Sequence, residues 1–212
     1  MKITKFHTGI ALTTSLLLAA LTGCGAANTA SSSASGSASS SVSASASSQS
    51  SKKHTSFFVK DNGDGTKVIK DIDGKEVTVP TTPERIADLW HANNQVVLLL
   101  GGAEKLVSTT STVKSLAWFK QVYPGIEKVD APVKGTDVNM EQLLADKPEV
   151  LLASSKEQIA KASEAGIPAV HVEFQNFADL KRTVELTAEV IGTDEAIERA
   201  EKYLAYLEKN EN

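Results

Sequence analysis

From residue 57 to 79 apolar residues come in short runs set between turn sequences, and from residue 86 onward they come in longer segments of alternating strand and helix character. Phe57-Phe58-Val59, Val68-Ile69 and Val77-Thr78-Val79 are β-type runs separated by Asp61-Asn62-Gly63-Asp64-Gly65 and Asp73-Gly74, which predicts a short antiparallel lead-in. The Asp-rich turn lacks the closing acidic ligand and the flanking helices of an EF-hand calcium loop. Past Pro80 and Pro83 the pattern predicts strands at Ile86–Leu89, Leu106–Ser108, Val150–Ala153 and Ala169–Val172. Helices are expected at Asn94–Leu100, Leu116–Val122, Met140–Ala145, Lys156–Ala165 and Phe177–Ile191. Strands alternating with helices imply an α/β fold, a parallel sheet flanked by helices.

The boundaries carry their own chemistry. Asn139 followed three residues later by Gln142 reads as a helix N-cap, Gly166 as a C-cap ahead of a strand, and Gly192 as the stop of the next helix. Phe177, Leu180, Val184, Thr187, Ala188 and Ile191 share one face, as packing on a sheet requires. Ala196, Ile197, Ala200, Tyr203, Leu204 and Leu207 recur at steps of three and four, so the last segment is a long helix with one apolar stripe.

The first 54 residues have a different composition. Lys2 and Lys5 precede an apolar run from Ile10 to Leu21, too short to span a bilayer and followed by small residues, which is the pattern of an export signal. Leu21-Thr22-Gly23-Cys24 resembles the lipobox of bacterial lipoproteins, in which the cysteine becomes an acylated N-terminus. Residues 25–54 are mostly Ser and Ala, too poor in apolar side chains to offset their ordering entropy, and form a flexible tether with a reach on the order of 30 Å. Residues 55–192 then suit one domain with a real core. Cys24 is the one cysteine of the chain, so no internal disulfide forms. A formal net charge of −4 without a basic aromatic patch argues against nucleic acid as a partner.

The candidate chemistry gathers where strand Ile86–Leu89 runs out. Ligands of open parallel sheets bind beyond the carboxyl ends of the strands, and Trp90, His91 and Asn93 fall there. A neutral imidazole at His91 suits a transition metal or a metal complex with an open position, the alternative being a histidine hydrogen-bonded within its loop. Trp90 and Trp118 offer flat apolar walls, or else belong to the core. Thr109, Thr110 and Ser111 follow the second strand, and Ser154 and Ser155 follow Val150–Ala153, so all can supply hydroxyls to one crevice. Tyr123, before Pro124, suits a ligand contact or lid packing, and His171, inside a strand, suits a structural role.

Three phrases together resemble a family: DIDGKEVTVP from Asp71 to Pro80 leading into Pro83-Glu84-Arg85-Ile86, NMEQLLADKPEV from Asn139 to Val150, and AGIPAV from Ala165 to Val170. They are similar to the N-terminal lobe of the substrate-binding lipoproteins of ABC importers for iron–siderophore, haem, cobalamin and related metal complexes. The resemblance implies two α/β lobes joined by a long helix with the ligand between them. Residues 55–192 would be the first lobe and residues 193–212 the start of the linking helix, with the second lobe absent, as in a truncated product or a chain whose other half lies elsewhere. It implies no intrinsic cofactor, a metal complex of iron, nickel or cobalt as ligand, and an ABC permease as partner. The chain would be lipid-anchored at Cys24 to the outer face of the bacterial cytoplasmic membrane. Glu141 resembles the glutamate that docks into the permease, although a carboxylate in a first helical turn is also favoured by the helix dipole. No Gly-x-Ser-x-Gly turn, phosphate-cradling loop or His-Glu-x-x-His motif supports an enzyme. A structural surface lipoprotein and, behind it, a hydrolase using His91 are the other readings.

Overall fold

The computed structural model describes residues 52–135 and 137–210. The export signal, Cys24 and residues 25–51 of the tether lie outside the described residues.

Chain order begins with three strands, β1 (Phe58–Asp61), β2 (Thr66–Lys70) and β3 (Glu76–Pro80), paired antiparallel in that order. The predicted lead-in is therefore present. Its fully exposed turn closes through Asp61, whose carboxylate accepts the Gly63 N–H at 2.7 Å, and Asp64, which accepts the Thr66 N–H at 3.0 Å. Those aspartates work as turn formers.

A six-stranded sheet follows. Its strands are β4 (Ile86–Asp88), β5 (Leu106–Thr110), β6 (Asp130–Lys134), β7 (Asp137–Val138), β8 (Val150–Ala153) and β9 (Ala169–His171). The spatial order is β7-β6-β5-β4-β8-β9, parallel throughout except for β7, which pairs antiparallel with β6. The chain thus starts at β4, builds outward to β6, and returns to the other side of β4 for β8 and β9. That reversal puts a topological switch point beside β4, where neighbouring connections leave in opposite directions and open a crevice.

Among the described residues seven α-helices accompany the strands: α1 (His91–Leu99), α2 (Ser111–Ser115), α3 (Ala117–Val122), α4 (Met140–Ala145), α5 (Lys156–Glu164), α6 (Phe177–Ile191) and α7 (Asp194–Asn210). The period-2 alternation of the buried strands feeds two cores. Val150 and Leu152 join Ile86, Val184 and Ala196 on one face, whereas Leu151 and Ala153 join Ala87, Leu143 and Ile159 on the other. On α7, Ala196, Ile197, Ala200 and Leu207 are buried, so much of the predicted stripe already packs within the described residues. Phe177 departs from the expected α6 face and is 59% exposed, because it occupies the first residue of the helix, ahead of the packed turns.

Three elements escaped the pattern: β6, the two-residue β7 paired to it, and α2. β6 contains Pro132, which cannot donate to a ladder, and tolerates it at a register irregularity on the β5 side while its carbonyl accepts the Asn139 N–H at 2.8 Å. The short α2 hides in a Ser/Thr-rich run; Thr110 caps it, its side chain accepting the Val113 N–H at 3.2 Å.

Candidate functional site

Three adjacent parallel strands, β8, β4 and β5, end at one crevice, and each hands over within two residues to a helix N-terminus. β8 leads through Ser154 and Ser155 to α5, β4 through Leu89 and Trp90 to α1, and β5 directly to α2. The cavity they enclose measures about 220 Å³ and is lined by Leu89, Trp90, His91, Thr110, Ser111, Thr112, Val133, Gly135, Ser154, Ser155 and Gln158. Six of the residues expected from the sequence, Trp90, His91, Thr110, Ser111, Ser154 and Ser155, meet there although they come from three separate stretches of chain.

The backbone at the floor is held by a buried carboxylate. Asp88, the last residue of β4, is fully buried; its Oδ1 accepts the Trp90 N–H at 3.1 Å and its Oδ2 accepts the Asn93 side-chain amide at 3.0 Å. Burial pushes the Asp88 carboxyl well above the usual carboxylate range, against the opposing pull of the Trp90 and Asn93 donors. With Trp90 held in this way as the N-cap residue, the helix starts at His91 rather than at Asn94. His91 is therefore an exposed first-turn residue at the cavity rim, not a loop residue. Trp90 presents its ring as a wall, tilted at 53° against Phe174 with centroids 4.8 Å apart.

Ser155 caps α5, its hydroxyl accepting the Gln158 N–H at 3.4 Å, and that turn carries the Gln158 side chain into the cavity. The Ser-x-x-Gln spacing of a capping box was the available signal for Gln158. Thr112, Val133 and Gly135 were missed along with α2 and β6, since a residue cannot be placed at a site before its element is recognised.

Asn93 and Trp118, both expected at the ligand, are placed elsewhere. Asn93 is fully buried with its amide bonded to Asp88 and to Thr187, because the earlier start of α1 rotates it into the core. Trp118 sits on α3, 37% exposed and stacked on Phe119 at 3.7 Å, outside the cavity lining. Thr109 is buried as well, its hydroxyl donating to Asn94 Oδ1 at 2.7 Å. His171 turns its Nδ1 to Asp73 at 3.0 Å, tying β9 to the hairpin turn between β2 and β3. Glu141 is exposed in the first turn of α4.

A larger cavity of about 570 Å³ lies at the opposite, amino-terminal ends of β5 and β6 and includes Tyr123, Arg85 and Asp146. Arg85 there is occupied by backbone, donating to the carbonyls of Asp146 and Lys147, and Asp146 accepts the Ser108 hydroxyl at 2.5 Å. Strand direction favours the smaller cavity, because helix N-termini and their free N–H groups gather at the carboxyl ends of parallel strands. Among the described residues, no group of three or more His, Cys, Asp or Glu side chains is placed to hold a metal ion. No described helix is long and apolar enough to cross a membrane.

Comparison with known proteins bears on this geometry. A family of periplasmic binding proteins matches residues 86–210. An uncharacterized ABC transporter substrate-binding lipoprotein of Bacillus subtilis strain 168, YvrC, is 26% identical over 141 residues, covering 63% of this chain and 42% of its own length. A periplasmic solute binding protein from Veillonella parvula DSM 2008 superposes with a TM-score of 0.63 at 26% identity, covering 69% of this chain and 46% of the other. The molybdate-binding protein MolA of Haemophilus influenzae shares the fold, with a TM-score of 0.58 at 24% identity over 64% of this chain and 48% of its own. The chain spans less than half the length of each of these proteins.

Proposed function

The chain belongs to the periplasmic binding protein family, and from that membership we propose that it is the substrate-binding component of an ABC importer, tethered to the membrane through Cys24 and carrying a metal complex. The observation that supports this reading is the meeting of Trp90, His91, Thr110, Ser111, Ser154 and Ser155 at the carboxyl ends of three neighbouring strands. Their chemistry is that of binding. Hydroxyls and helix N-termini favour a ligand that presents oxygen acceptors, Trp90 supplies a flat wall, and His91 adds one nitrogen donor. One donor suits a metal that arrives with most of its coordination sphere filled by its own chelator, rather than a bare ion needing several protein ligands. The molybdate bound by MolA is a metal centre already surrounded by its own oxygens, which hydroxyls and helix N–H groups can recognise. The exposed Glu141 is the contact we assign to the permease.

Residues 55–192 serve in this reading as the first lobe and α7 as the beginning of the linking helix. The test is titration of the purified chain with haemin, cobalamin, a ferric hydroxamate, nickel–histidine and molybdate, followed by tryptophan fluorescence and calorimetry. Quenching by one of them that His91→Ala weakens supports the proposal. Failure of every one to perturb either signal overturns the metal-complex class.

A further inference from the structure

Beneath the cavity runs a set of side chains that stability alone does not call for. Asn93, Asn94, Thr109 and Thr187 are all fully buried, and together with Asp88 they form a closed set of partners. Asn93 donates through Nδ2 to Asp88 Oδ2 at 3.0 Å and accepts through Oδ1 from the Thr187 hydroxyl at 3.0 Å. Asn94 donates to the Asp88 and Trp90 carbonyls, each at 2.9 Å, and accepts from Thr109 at 2.7 Å. Leaving any one of these groups unpaired would cost about 1–3 kcal/mol, so the set is satisfied only as a whole and admits one arrangement. An apolar set of the same volume would avoid that constraint.

The direction of the network says what it arranges. Thr187 lies on α6, the helix that continues through Gly192 into α7. Asp88 lies at the end of β4 and fixes the Trp90 N–H at 3.1 Å. In the hydrogen-bonded path from Thr187 to Asp88 the linking side chain is Asn93. We infer that Asn93 and Thr187 are positioning residues for the cavity, setting the backbone of Trp90 and His91 through Asp88 and coupling it to the position of α6. A shift of α6 that breaks the Thr187 bond leaves the Asn93 oxygen unpaired and releases the amide that holds Asp88, so the two ends of the network move together. The consequence for ligand affinity rests on the cavity being the ligand site; the coupling itself does not.

Thr187→Val removes the hydroxyl and keeps the shape, and Thr187→Ser keeps the hydroxyl. In the isotopically labelled full chain, Thr187→Val is expected to shift the Trp90 and His91 amide resonances while those of Ser154 and Ser155 on the other rim stay in place, and Thr187→Ser is expected to restore the wild-type positions. Should the valine variant not fold, Thr187→Ala reads the same resonances. Trp90 and His91 signals that ignore loss of the hydroxyl, or that move as far in Thr187→Ser, overturn the inference. Titration of wild type with haemin, cobalamin, a ferric hydroxamate, nickel–histidine and molybdate separates the two readings. Trp90 resonances that respond to Thr187→Val but to none of the five uphold the positioning network and sink the ligand assignment.

Discussion

The Lys67 ammonium lies 3.0 Å from the Glu189 carboxylate, and both side chains are 1% exposed. Lys67 also donates to the Glu189 backbone carbonyl, while the second carboxylate oxygen accepts the Thr55 N–H at 2.8 Å and the first meets His54 at 3.0 Å. One buried carboxylate on α6 therefore secures β2 and the segment that leads into the domain. Removing one partner leaves the other charge buried, and Lys67→Met is expected to cost about 3–5 kcal/mol in urea denaturation. Lys67→Met with Glu189→Leu is expected to be less damaging than Lys67→Met alone, since no unpaired charge remains. A double variant at least as unstable as the single would mean that the carboxylate is held by Thr55 and His54 without need of Lys67.

Acid should act through the same residue. Burial pushes the Glu189 carboxyl up, but the Lys67 charge, the Thr55 N–H and His54 outweigh it and hold the group below its ordinary 4.5. A depressed folded pKa contributes stability that is present above the unfolded value and is lost as the pH falls through the folded one. Glu189→Gln is thus expected to flatten the acid limb of a stability–pH curve below about pH 4.5, measured by urea melts at stepped pH.

Asp88 has the opposite sign. Its folded pKa is raised above 3.8, so the folded state holds the proton more tightly, and stability declines as the pH rises from 3.8 toward the folded value. Asp88→Asn is expected to remove that decline and to keep the cavity floor, because Asn93 and Thr187 can reverse their donor and acceptor roles to suit it. A variant that retains the wild-type slope would assign that slope to other groups.

Gly192 closes α6 in the left-handed region at φ +72°, and a Cβ there would stand 2.1 Å from the Thr81 carbonyl oxygen. The conformation alone costs a side-chain-bearing residue about 1–3 kcal/mol, and the overlap with backbone adds to it. Gly192→Ala is expected to lower the thermal midpoint by well over the shift of an exposed helical control such as Lys202→Ala on α7. Equal shifts would mean that the Thr81 strand end yields freely.

The proposed membrane attachment runs through Cys24, and Cys24→Ser is expected to leave an uncleaved or released chain in place of one that needs detergent for extraction. Unchanged detergent-requiring association in cell fractionation would sink the assignment.

Local chemistry made most elements legible. Asn139 and Gly166 act where capping rules put them, and the strands Val150–Ala153 and Ala169–His171 stand out because an apolar run between turn residues has few other uses in a chain of this composition. β6 was hidden because Pro132 and the charged Asp130 and Lys134 contradict the pattern of a buried strand, and only the pairing shows that a register irregularity against β5 accommodates the proline. The helix start at His91 was hidden for a related reason. Its N-cap is Trp90, which has no capping side chain, and the chain is held there by the Asp88 carboxylate on the Trp90 N–H, an arrangement no local rule looks for.

Sequence by itself determined the alternation of strand and helix, the change in composition ahead of the domain, and the residue types at each strand end, because propensity, period and capping act over a few residues. Which of those strand ends face one another was decided by the strand order β7-β6-β5-β4-β8-β9. That order brings Trp90, Ser111 and Ser155 to one cavity and sends Trp118 elsewhere. The turn of Asn93 toward Thr187, across 94 positions of sequence, was likewise settled in three dimensions. A buried amide must find its partners wherever the packing supplies them, and sequence distance sets no limit on where those partners lie.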